Sequence, residues 1–284
     1  MKKKFLIALL AFTGLVALTA CGNGKQQITA GGSTALQPLV EQASIDYMKL
    51  HPSEIIMVQG GGSGVGLAQV AAGSFQIGNS DIFAEEKPGI DASKLIDNKV
   101  AVVGIAPIVN SKLGLSNLTQ TQLISIFTGK VTNWSQVGGP NEAITVIGRT
   151  AGSGTRVNFD KYGLNGSTEL NGPTQDASGS VVQLVSQTPG AISYVSFSYK
   201  DKPGVKALEI DNVAPNYKNV SENYWKIWAY EHMYLNKAKD NTTEQDFINF
   251  ISSDKAHIFA KLGYFSINNM YVDRNAQGKI RQIN

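Results

Sequence analysis

Apolar residues at Leu36, Leu39, Val40, Ala43 and Tyr47 follow the spacing of one helix face. A strand over residues 27–30 precedes them. His51-Pro52 closes the helix, because proline disfavours helical backbone at the residue before it. The pattern then predicts a strand at 55–58, a short helix at 65–72 and a strand at 75–78. Residues 100–109 form a long apolar β run. Thr119 and Gln122 make a capping-box signature that opens a helix running to Phe127. A strand at 143–147, a helix at 155–162, a helix at 181–186 and a strand at 191–195 follow. Thr242 and Gln245 offer a second capping box. It precedes one final amphipathic helix carrying Phe247, Phe250, Ile251, Ile258, Phe259 and Leu262. Alternation of this kind implies α/β units with largely parallel sheets covered by helices. There is no internal repeat or low-complexity tract.

The first 20 residues read as a secretory signal: Lys2 to Lys4, an apolar run to Leu18, then Thr19-Ala20-Cys21. The run is short and interrupted by Thr13 and Gly14, unlike a membrane span of about 20 residues. Residues 22–27 form a polar, glycine-containing tether. Across the 284 residues, 42% are hydrophobic and 17% charged, enough for a real core and about two domains. The formal charge of +3 misleads. With Lys2, Lys3 and Lys4 in the leader, 22 basic residues face 22 acidic ones, so there is no footprint for nucleic acid. A single cysteine excludes an internal disulfide framework, and no Cys/His cluster has metal-site spacing.

Three strand-to-helix junctions carry the chemistry. They are Ala30-Gly31-Gly32-Ser33-Thr34-Ala35, Gln59-Gly60-Gly61-Gly62-Ser63-Gly64-Val65-Gly66, and Gly148-Arg149-Thr150-Ala151-Gly152-Ser153-Gly154-Thr155-Arg156. The first N–H groups of a helix lack intrahelical partners. Glycine lets a ligand approach the backbone, and hydroxyls add donors. One such junction is ordinary capping chemistry; three, one of them with Arg149, make an anion site. The P-loop is excluded because no Gly-Lys-Ser/Thr follows the glycines. A hydrolase elbow is excluded because Gly-x-Ser-x-Gly is absent around Ser33, Ser63 and Ser153. His51, His232 and His257 are scattered without a partner that would make a general base.

Gly32-Ser33-Thr34, Gly62-Ser63-Gly64, Asn79-Ser80-Asp81 and the segment from Arg149 to Thr155 together resemble the phosphate-binding lipoproteins of bacterial ABC phosphate importers. Leu118-Thr119, Ile126-Phe127-Thr128-Gly129, Asn133-Trp134 and the lipobox Leu18-Thr19-Ala20-Cys21 add to the likeness. The resemblance implies a two-lobe α/β fold of the periplasmic-binding-protein type II class. Each lobe would be a helix-covered mixed sheet, with the ligand in the cleft between them. It implies lobe 1 at 27–105 plus 229–284 and lobe 2 at 106–228, joined by crossing strands at 100–109 and 226–234. Residues 1–20 would be the signal peptide and 21–26 a tether lipidated at Cys21. The implied partners are inorganic phosphate, the permease subunits of an importer driven by a cytoplasmic ATPase, and the membrane through the lipid anchor. No cofactor, metal or nucleic acid is implied, and the chain is expected to be monomeric and not an enzyme.

Residue by residue, the resemblance places Thr34 and the Ala35 N–H on phosphate, with Ser33 a further candidate. Ser63 serves from the second junction, and Arg149, Ser153, the Gly154 N–H and Thr155 from the third. Asp81 matches the family's acidic residue. An ionised carboxylate only accepts hydrogen bonds, so it takes the phosphate O–H and confronts sulfate with two facing acceptors. A turn-capping role for Asp81 stays open. Two positions depart from the family pattern. Ala151 replaces a frequent acid, which leaves Arg149 to another carboxylate or to greater mobility. Ala35 replaces a bulkier side chain, which predicts poorer exclusion of water. The aromatic group Tyr224, Trp225, Trp228, Tyr230 and Tyr234 is expected to be hinge packing. Arg156 either reaches the ligand or lies on the outer face. Another oxyanion or a phosphate ester as ligand, an extracellular phosphatase, and a sensing or adhesion lipoprotein are the competing readings.

Overall fold

The computed structural model describes residues 26–254 and 257–283. The signal, the lipobox and Cys21 lie outside the described residues. Strand β1 (Gln26–Gly32) leads into helix α1 (Gln37–Leu50), then β2 (Glu54–Gln59), α2 (Ser63–Ala71) and β3 (Ile77–Ser80). Pro38 sits in the first turn of α1, where its missing N–H costs nothing. His51 ends α1, as expected from Pro52. Leu36, Leu39, Val40, Ala43 and Tyr47 are all buried.

The long strand β4 (Leu95–Asn110) follows, then β5 (Asn117–Leu118) and α3 (Gln120–Phe127). The capping box of α3 is formed in full: Gln122 N donates to Thr119 Oγ1 at 3.1 Å, and Thr119 N to Gln122 Oε1 at 2.8 Å. Next come β6 (Thr145–Val146), β7 (Gly148–Arg149), α4 (Gly154–Asn158), β8 (Thr174–Gln175), α5 (Ser178–Gln187) and β9 (Ala191–Ser196). Helix α4 runs on as a wider π turn over Phe159–Gly163. Then follow β10 (Val205–Ala207), β11 (Glu209–Ile210), α6 (Tyr217–Ser221), β12 (Trp228–Asn236), α7 (Thr242–Ser252) and α8 (Phe259–Leu262). The chain closes with β13 (Tyr264–Phe265), β14 (Val272–Arg274) and β15 (Ile280–Gln282).

The main sheet runs β2-β1-β3-β12-β4-β9-β6, with β10 and β13 on β4. It is mixed rather than largely parallel. β1 pairs parallel with β2 and β3, but β12 is antiparallel to both β3 and β4. The reason is topological. β12 enters the sheet between β3 and β4, about 120 residues after β4 ends, and runs opposite to both. β4 changes partner midway: up to Gly104 it pairs with β12, and from Ile105 with β9.

Two local expectations fail. The final helix is two helices, α7 and α8, because positive-φ residues Asp254 and His257 break it. Thr242 is the first residue of α7 and not its cap; Asn241 stands at the cap, its side chain bonded to Asn236 O and Lys239 O instead of to the helix. In the aromatic group, Trp225, Trp228, Tyr230 and Tyr234 are buried, but Tyr224 is 63% exposed.

Candidate functional site

The three junctions meet. Gly62 N donates to Gly32 O at 2.8 Å, joining the second junction to the first. Gly64 N donates to Gly152 O at 3.0 Å, joining it to the third. Gly62 has φ +85°, and a Cβ there would stand 2.8 Å from Gly152 O, so both conformation and contact require glycine. Ser33, Thr34, Ala35, Ser63, Asp81, Arg149, Ser153, Gly154 and Thr155 are all buried.

They form two linked groups. In the first, Asp81 Oδ2 accepts from Thr155 Oγ1 at 2.9 Å, and Asp81 Oδ1 from Ser63 Oγ. Asp81 N in turn donates to Ser63 Oγ at 3.0 Å. Asp81 therefore joins the second junction to the third. Its turn is capped by Ser80, whose Oγ accepts from Ile82 N at 3.1 Å, so the Asp81 carboxylate is spent on hydroxyls and not on capping. Gly154 lies against Asp81 Oδ1 and Ser63 Oγ so closely that a Cβ would collide with both.

The second group surrounds Arg149, 1% exposed. Its Nε donates to Gln175 O at 3.1 Å and its Nη2 to Asp176 O at 2.7 Å. Nη2 also reaches Thr34 Oγ1 at 3.3 Å, and Nη1 reaches Ser178 Oγ at 3.4 Å. The expected alternatives, a second carboxylate or a mobile side chain, are both replaced. β7 pairs with β8, and that pairing presents two carbonyls to the guanidinium. Burial lowers the affinity of Arg149 for its proton, while Tyr194, Asp81 and Asp176 act in the opposite sense. Behind it, Arg156 Nη1 donates to Arg149 O at 2.6 Å, and Nε lies 3.4 Å from Asp160 Oδ2 and 3.7 Å from Glu169 Oε2. Arg156 thus braces the junction from behind and neither faces the site nor lies free on the surface.

Ser153 Oγ caps α4 by accepting from Arg156 N at 3.3 Å, which leaves its own proton to donate. Ser33 Oγ accepts from Ala35 N at 3.1 Å and Leu36 N at 3.2 Å. The Ala35 N–H, expected to serve the ligand, is thus bonded within its own turn. Ala35 itself is fully buried, and its carbonyl accepts from Tyr264 Oη.

Ser178 and Asn158 were missed from sequence. Ser178 is fully buried, its N donates to Thr34 Oγ1 at 3.2 Å, and its Oγ stands 3.1 Å from the same atom. Ala177-Ser178-Gly179-Ser180, ahead of the apolar helix pattern, is a fourth junction of the same kind and was the available signal. Asn158 Nδ2 donates to Asp81 O at 2.6 Å and Gly154 O at 3.0 Å; nothing in its local sequence marks it. Of the histidines, His232 is buried against Asp97 at 2.7 Å, and His51 stacks on Tyr47. Among the described residues there is no group of three or more His, Cys, Asp or Glu that could hold a metal.

This is a buried cation bonded only to neutral oxygens, with a carboxylate and at least four hydroxyls converging beside it. Such a site suits a small anion that still carries a proton. Comparisons with known proteins agree with the geometry. The PBP superfamily domain matches residues 19–255. The chain is 41% identical to the phosphate-binding protein PstS of Bacillus subtilis, over 98% of this chain and 99% of that one. It is 22% identical to the PstS of Borreliella burgdorferi over 94% of this chain and 99% of that one. Among solved structures, a protein from Clostridium perfringens assigned as a phosphate ABC transporter substrate-binding protein, with phosphate bound, matches with TM-score 0.79. Its identity is 28%, covering 85% of this chain and all of that one. An ABC-type phosphate transport receptor from Vibrio cholerae matches with TM-score 0.67 and 25% identity, covering 84% and 99%.

Proposed function

The chain belongs to the PBP superfamily, among its phosphate-binding proteins, and from that premise we propose that it is the extracytoplasmic phosphate receptor of an ABC importer. It captures inorganic phosphate between its two lobes and delivers it to a membrane permease. The carrying observation is Arg149: buried, always charged, and hydrogen-bonded to carbonyls and hydroxyls instead of to a carboxylate. An anion supplies the missing charge.

In this reading Arg149 and the hydroxyls of Ser33, Thr34 and Ser153 donate to phosphate oxygens, Ser63 and Thr155 turn their hydroxyls from Asp81 to the ligand when it enters, and the N–H groups of Ala35 and Gly154 join them. Hydrogen bonds to a charged group contribute about 1.5–3 kcal/mol each. A few of them offset the association cost and reach the roughly −8 kcal/mol of micromolar binding. Asp81 accepts the proton that phosphate keeps near neutral pH. A site built around one such hydrogen bond rejects an analogue lacking it by about 10⁴–10⁵. Sulfate lacks it, so the site selects phosphate over oxyanions that carry no proton.

The lobes divide at 27–105 plus 229–284 and at 106–228, with β4 and β12 as the crossings. The contact of Asp81 with Thr155 then belongs to the closed arrangement, and opening of the lobes parts them to admit phosphate. The chain is monomeric, performs no chemistry, and is held at the outer face of the cell membrane by lipid on Cys21. Phosphate uptake by cells lacking the gene tests the transport role. Restoration by the intact gene supports it, and uptake unaffected by the deletion overturns it.

A further inference from the structure

The return strand β12 carries a second buried acid. Glu231 is 0% exposed, and neither of its carboxylate oxygens has a partner among the described residues. Strand register shows what surrounds it. Glu231 lies opposite Ala101, and Tyr264 lies opposite Val103, two residues along the same face of β4. The Tyr264 hydroxyl donates to the Ala35 carbonyl. Met233, on the same face of β12 as Glu231, lies opposite Asn79. The Asn79 carbonyl accepts from Ser33 N at 2.9 Å, and its side-chain amide is buried without a partner at either end. Both routes from Glu231 therefore lead to the Ser33-Thr34-Ala35 junction.

An ionised carboxylate at this depth without donors is costly, so the group keeps its proton. Burial, then the charge of Asp81, push its pKa well above the ordinary carboxylate range. A neutral acid is a donor, and this donor has no acceptor among the described residues. The unpartnered amide of Asn79, opposite Met233 and two positions along the strand, adds a second such group.

We propose that Glu231 is a further ligand-binding residue, which gives its acid O–H to an oxygen of bound phosphate as the donating counterpart of Asp81. The inference rests on the phosphate reading. The two acids then check the ligand together: Asp81 for an oxygen that bears hydrogen, Glu231 for one that does not.

Calorimetry with inorganic phosphate on Glu231→Gln and Glu231→Leu tests it, with thermal melts to establish that each variant is folded. The glutamine keeps an N–H donor and is expected to bind within about threefold of wild type. The leucine loses the donor and is expected to bind at least roughly tenfold more weakly. Infrared difference spectra of the wild-type protein with and without phosphate give a second readout that needs no disruptive variant. A protonated-carboxyl C=O band, absent from Glu231→Gln, is expected to shift when phosphate binds. Wild-type affinity in folded Glu231→Leu, or a band indifferent to phosphate, overturns the proposal while leaving the transport reading intact. A wild-type protein that does not bind phosphate overturns both.

Discussion

Gly154→Ala probes the ligand's position without deleting a polar side chain. Gly154 opens α4 in backbone that is not left-handed, so alanine brings no conformational strain. In a helix alanine is favoured over glycine by about 1 kcal/mol, which offsets part of the roughly 1–3 kcal/mol that overpacking a buried site costs, so the variant is expected to fold with a modestly lowered melting temperature. The new Cβ, however, falls on Asp81 Oδ1 and Ser63 Oγ. Both atoms belong to buried residues whose backbones are fixed by β3 and α2, so the methyl must push the Ser63–Asp81 pair apart. A hydrogen bond to a charged group is worth about 1.5–3 kcal/mol. At 1.4 kcal/mol per decade, phosphate binding is expected to weaken roughly 10- to 100-fold. Calorimetry gives the affinity and a thermal melt gives the stability. A dissociation constant within about threefold of wild type, in a variant that the melt shows to be folded, would refute the placement of phosphate against Gly154.

Other substitutions probe the remaining parts. Arg149→Ala removes the only cation in the site; losing two charged hydrogen bonds to the ligand predicts a loss of about 10²–10⁴ in phosphate affinity, and near-wild-type binding in calorimetry removes Arg149 from the site. Asp81→Asn replaces an acceptor-only group with one that also donates, so the phosphate-to-sulfate affinity ratio is expected to narrow; an unchanged ratio in competition titrations contradicts the discriminating role. Glu169, behind the third junction, has its pKa raised to about 7 by burial first and by Asp160 next, with Tyr194 and Arg156 opposing. A raised acid stabilises the fold below its unfolded pKa near 4.5 and loses that contribution as pH rises toward 7, so wild type is expected to lose up to about 3 kcal/mol relative to Glu169→Gln between those values. Urea melts of both proteins at pH 5 and pH 7.5 check this, and parallel stability profiles would contradict it.

What could be read from sequence was whatever is local. The α1 face, the Thr119 capping box and the three glycine-hydroxyl junctions are each written within about ten residues, and all appear in the structure. Interactions between distant segments were not legible. The partners of Arg149 are carbonyls 26 and 27 residues away, supplied by a strand pairing that periodicity does not reveal. Ser178 carries the same glycine-beside-serine signal as the junctions, but nothing local ties it to Thr34, 144 residues earlier. The antiparallel crossing of β4 and β12 follows from topology, which hydrophobic alternation cannot encode. The split between α7 and α8 escaped because the apolar spacing continues across Asp254 and His257, whose backbones leave the helix. Glu231 sits in a strand mostly of apolar and aromatic residues, and its complete burial is visible only in the structure.

The most direct test is calorimetry on the mature protein, stripped of phosphate, titrated separately with phosphate, arsenate and sulfate near neutral pH. Phosphate is expected to bind with micromolar or better affinity, arsenate to compete for the same site, and sulfate to give no measurable heat at comparable concentration. Equal binding of sulfate and phosphate, or no binding of phosphate, would contradict the claim that buried Arg149 and Asp81 enclose a tetrahedral anion that still carries a proton.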